Sequence, residues 1–96
     1  MDEAIRELVV LHDAVLDAQL HARLGHRDEM DQRAFDALLA IRRLDREIRM
    51  NVLPKIEHIR GVVRKARSEA RGGQTNEAFV LLDGIHNLVA VLRGIR

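Results

Sequence analysis

Arg49-Met50-Asn51-Val52-Leu53-Pro54 places the chain's single proline inside its longest helical segment, and the architecture turns on what that proline does. Proline has no backbone N–H and clashes with the carbonyl four residues back, so it either kinks a helix or stands in the first turn of a new one. Two architectures follow. In one, residues 28–71 form a single long helix kinked near Pro54 and flanked by helices over roughly 2–24 and 75–95. This is a three-helix subunit completed by dimerisation. In the other, Asn51 caps a fresh helix whose first turn tolerates Pro54, and the chain is a monomeric four-helix up-and-down bundle broken at Asn51-Pro54.

The apolar pattern favours the long helix. At about 100° per residue, Met30, Ala34, Ala37, Ile41, Leu44, Ile48 and Val52 share about 80° of arc. Without resetting at the proline, Ile56, Ile59, Val62, Val63, Ala66 and Ala70 cover nearly the same arc. Arg49 to Leu53 offers no glycine for a reversal. Such a helix would be about 66 Å long against roughly 30 to 35 Å for each flanking helix. Each half would then have one intrachain partner, so a second copy about a two-fold axis is expected to bury the rest. The last helix agrees: Ala78, Leu81, Ile85, Leu88, Leu92 and Ile95 form one stripe, with Val80 and Val91 roughly opposite.

Gly25-His26-Arg27 and Gly72-Gly73-Gln74 read as corners. Each has a glycine where a helix end wants left-handed backbone, and each precedes a capping residue, Asp28 and Thr75. Nothing alternates with period two and no Asn-Gly or Asp-Gly hairpin signal occurs, so the class is all-α, one helical domain over 1–96.

Leu, Ile, Val and Phe make up 31 of the 96 residues, enough for a packed core rather than a disordered chain. No apolar run exceeds five residues, so no stretch reads as a membrane span or the apolar part of a secretion signal. The absence of cysteine removes disulfides, thiolate metal sites and cysteine nucleophiles, and fits a cytoplasmic setting. Phe35 and Phe79 are the only aromatic rings besides histidine, too few for base stacking or an aromatic cage.

Charge is where the chain is distinctive. The net charge is +1, yet residues 42–71 carry 10 basic and 4 acidic groups whereas residues 1–41 carry 4 and 9. Arg42, Arg46, Arg49, Arg60, Arg64, Arg67 and Arg71 fall within about 60° of arc, forming an arginine ladder along one helix edge. Such an edge suits an acidic protein partner or the phosphates of a nucleic acid bound without sequence preference. It is also satisfied if the acidic first helix, with Glu3, Glu7, Asp13 and Asp17, lies beside it.

The five histidines stand at 12, 21, 26, 58 and 86, never three or four apart, so no helix face presents a chelating pair and no metal site is expected. Asp17 with His21 and Asp83 with His86 come nearest to ligand spacing. His12 and Gln19 fall inside the apolar arc of the first helix, and a polar pair there is expected to fix register at a helix or subunit interface. No nucleophile elbow, phosphate loop or dinucleotide glycine motif occurs.

The expectation is a small non-enzymatic helical protein-interaction or regulatory module without a cofactor, acting as a homodimer and presenting an arginine-lined edge. The alternatives are a non-sequence-specific nucleic-acid binder, and a small helical enzyme or anion-binding protein at a subunit junction.

Overall fold

Both glycine corners form as left-handed helix caps in the computed structural model, which describes residues 2–44 and 53–94. Gly25 has φ 76° and Gly73 φ 87°, values open to glycine because a Cβ would crowd the neighbouring carbonyl. They separate α1 (Asp2–Leu24) from α2 (Arg27–Leu44) and α3 (Leu53–Arg71) from α4 (Thr75–Arg93). At the first corner the His26 N–H donates to the His21 carbonyl at 2.8 Å and the Gly25 N–H to Ala22 at 3.2 Å; at the second, Gln74 donates to Glu69 at 2.8 Å and Gly73 to Ala70 at 3.0 Å. These paired bonds satisfy the carbonyls that a helix end leaves open.

The expected caps are displaced. The His26 carbonyl already accepts from Met30 at 2.9 Å and the Gln74 carbonyl from Ala78 at 3.1 Å. Each of these residues therefore closes one helix and opens the next, in place of Asp28 and Thr75. The corners are too short for anything but antiparallel neighbours. Asp28 instead joins Glu29 in the first turn of α2, where negative charge meets the positive end of the helix dipole.

The long kinked central helix is not formed. Asp31 near the start of α2 accepts hydrogen bonds from Arg67 and Arg71 at the end of α3, a contact that about 60 Å of continuous helix would forbid. The longest dimension of the molecule is 38 Å. Pro54 is the second residue of α3, where no intrahelical N–H bond is due; residues 49–52 lie outside the described residues. Helical phase repeats with every turn and so does not distinguish one rod from two antiparallel ones. Two stripes of about 100° width overlap readily, and their overlap is blind to a reversal of the chain.

The result is an all-α up-and-down bundle of four helices. Around the ring, α1 touches α2 and α4, and α3 touches the same two. Among the described residues twenty-two apolar ones are buried, nine of them alanine, so the helices approach closely and the cross-section is only 19 by 19 Å. A thin core has a consequence at the surface. Of 28 large apolar side chains described, 13 are buried and six are exposed. The four most exposed are Val80, Val91, Leu24 and Leu20, all on α4 and α1.

Candidate functional site

Asp31, Phe35, Leu38 and Arg42 recur at spacings of four, three and four along α2, and Arg60, Arg64, Arg67 and Arg71 do the same along α3. That spacing keeps each set on one edge of its helix. Because the helices are antiparallel and meet at Asp31 and Arg71, the two edges line one seam. Arg42 lies eleven residues beyond Asp31 and Arg60 eleven residues before Arg71, so both stand about 16 Å down the bundle, at the same level.

At the upper end of the seam a single carboxylate serves two guanidinium groups. Arg67 Nε and Arg71 Nε each donate to Asp31 Oδ1 at 2.8 Å, with longer bonds from their Nη2 atoms to Oδ2 at 3.4 and 3.5 Å. The Arg67 guanidinium also lies over the Phe35 ring, 5.2 Å from its centroid, an attraction between the cation and the negative ring face. Burial works to raise the Asp31 carboxyl. The hydrogen bonds and positive charges of Arg67 and Arg71 outweigh it and hold the group below its ordinary value.

Further down, compensation is thinner. Arg60 pairs with Glu57 one turn away on its own helix. Arg42 and Arg64 are exposed, and among the described residues no carboxylate pairs with either. Phe35, 40% exposed, supplies the seam's accessible apolar surface. Arg46 and Arg49 lie outside the described residues. Among the described residues the carboxylates that meet the ladder are Asp31 of α2 and Glu57 of α3, not Glu7, Asp13 or Asp17 of the first helix. The described member of that acidic set nearest an arginine is Glu7, 3.8 Å from Arg43. Asp31 and Phe35 were missed from sequence, although their shared spacing with Arg42 mirrors the ladder.

His12 and Gln19 do not form a buried pair. Gln19 bridges α1 to α4, donating from Nε2 to Asp83 Oδ1 at 3.0 Å, while its Oε1 faces His86 Nδ1 at 3.3 Å. This uses both ends of the amide and assigns the His86 proton to Nδ1. His12 turns aside, its Nδ1 lying 3.3 Å from Asp13 Oδ1. At the α1–α2 corner the Nδ1 atoms of His21 and His26 lie 3.2 Å apart, so one ring donates its N–H to the other.

A shallow groove of about 340 Å³ lies between α1 and α2, lined by Asp13, Asp17, Asp36, Arg33 and Arg43 around Val10, Ala14 and Leu39. None of the described ladder arginines lines it, and Arg33 is held there by Asp36 at 2.9 Å. Among the described residues no group of three or more ligating side chains is arranged to hold a metal ion. No described helix is long and apolar enough to cross a membrane. No family model, curated protein or solved structure matches the chain significantly.

Proposed function

We propose that this chain is a non-enzymatic helical protein-interaction module that acts as a homodimer and offers its α2–α3 seam to an acidic segment of a partner protein. The observation that supports the reading is the seam's uneven compensation. Asp31 neutralises part of one end, while Arg42 and Arg64 remain exposed beside a half-exposed phenylalanine. An acidic peptide with an apolar side chain satisfies both features, the carboxylates meeting guanidinium forks and the apolar group covering Phe35.

A nucleic acid fits the seam less well. Asp31 and Glu57 would repel phosphates at the two places where they pair with the ladder's arginines, and too few described arginines remain for the steep affinity that a phosphate ladder gives.

The test is fluorescence anisotropy with two probes, a labelled Glu-rich peptide carrying one or two leucines and a labelled 20-base-pair duplex, each at 50 and 150 mM salt. Saturable peptide binding that falls by about tenfold or more in Arg42→Glu/Arg64→Glu, with the helical circular dichroism spectrum unchanged, supports the reading. Preference for the duplex, or peptide binding indifferent to the charge reversal, overturns it.

A further inference from the structure

α4 carries two seams where a bundle needs one. The inner seam, Ala78, Leu82, Ile85, Val89 and Leu92, is buried. Val80, Gly84, Asn87 and Val91 repeat at four, three and four on the opposite side, and all four are exposed. Val80 and Val91 are the most exposed large apolar residues described, at 63% and 58%. They lie about 16 Å apart on nearly the same line of the helix, so one neighbouring helix would cover both.

We infer that a second copy of this chain seats on this outward face of α4, its own α4 crossing antiparallel about a two-fold axis between Gly84 and Asn87. The inference rests on the homodimer reading and names its surface. In an antiparallel two-fold pairing centred there, residue positions facing one another have a constant sum. Val80 then meets the partner's Val91, and Gly84 meets the partner's Asn87. Large apolar faces large apolar at both ends, and in the middle an amide enters the space that a missing side chain leaves. A sequence stripe that is its own complement under reversal is what an isologous contact requires.

Charge selects the same face. In a two-fold contact each subunit offers its mate the same surface, so a strongly single-signed face repels its copy. The arginine seam of α2 and α3 is excluded on that ground. Outward on α3 stand Lys55, His58, Arg64 and Lys65, whereas among the described residues near the α4 stripe the charged side chains are Glu77, at its amino end, and Asp83, whose carboxylate already accepts from Gln19. Gly84 is compatible with the same face. A Cβ at this position would meet nothing within 4 Å in the subunit, so packing inside one chain does not call for glycine, although glycine weakens a helix interior. A second helix approaching closely here would use the space that it leaves.

The experiment uses the full chain, which has no cysteine of its own. Sedimentation equilibrium is measured for the native sequence, for Val80→Glu/Val91→Glu and for Gly84→Leu. Oxidative cross-linking is measured for Val80→Cys mixed with Val91→Cys, and for each alone. Gly84→Leu is decisive because the subunit has room for the new side chain, so its fold persists while the mate is pushed away. Both the glutamate pair and Gly84→Leu are expected to weaken dimerisation roughly a hundredfold, and the mixed cysteines to cross-link while each alone does not. A native dimer unaffected by any of these changes overturns the assigned face and leaves the homodimer reading intact. A native monomer at every concentration overturns both.

Discussion

Asp31 and Arg71, forty positions apart in the chain, meet at 2.8 Å between Oδ1 and Nε, and this contact turns what reads as one rod into two antiparallel helices. It also sets the seam's charge, because the same oxygen serves Arg67. The carboxyl titrates below its ordinary value of 3.8. A depressed carboxyl stabilises the fold fully above the unfolded-state value and loses that contribution as pH falls through the native one. Thermal unfolding followed by circular dichroism between pH 6 and pH 2 is therefore expected to show Asp31→Asn less stable than the native chain at pH 6. The cost is about 1 kcal/mol, modest because Arg71 is 60% exposed and water screens its share. The difference should shrink once the pH is below 3.8. A gap that widens on acidification would contradict the assignment.

Glycines at the corners and within the helices should respond oppositely to alanine. Gly73→Ala places a side chain at φ 87° and is expected to cost about 1 kcal/mol. Gly61 is an exposed helix position where a Cβ would meet nothing within 4 Å, and Gly61→Ala is expected to gain about 0.5 to 1 kcal/mol. For a domain of this size each change moves Tm by several degrees, readable by calorimetry. Equal signs for the two substitutions would refute the corner geometry.

Gln19 ties α1 to α4 through Asp83 and His86. Removing the amide by Gln19→Leu is expected to cost about 1 kcal/mol in urea unfolding, with the m-value unchanged. The cost stays small because Asp83 is exposed and regains water. A loss several times larger would mean that the bridge is more deeply desolvated than its exposure indicates.

The class, the glycine corners and most of the core were legible in the sequence, because each is a local property. A left-handed cap needs glycine where Gly25 and Gly73 stand, and the stripes from Met30 to Leu44 and from Ile56 to Ala70 fall on buried faces. The reversal between α2 and α3 was not read correctly, since helical phase carries no information about direction. Element length was the better signal: 23, 18, 19 and 19 residues are matched rods that close a bundle without a second copy. The described arginines divide between an α2 edge and an α3 edge instead of lining one helix, and their partner Asp31 depends on register across the seam, which no single-helix pattern contains. Gln19 was legible as a polar residue at a helix contact, while its partners on α4 were not.

Sedimentation equilibrium of the native chain over micromolar concentrations bears most directly on the interaction-module reading. The subunit mass is 11.0 kDa. The account predicts a reversible species of twice that mass, with dissociation on dilution and no higher aggregate. A single 11.0 kDa particle at every concentration would contradict it, leaving Val80 and Val91 as solvent-facing side chains of a self-sufficient bundle.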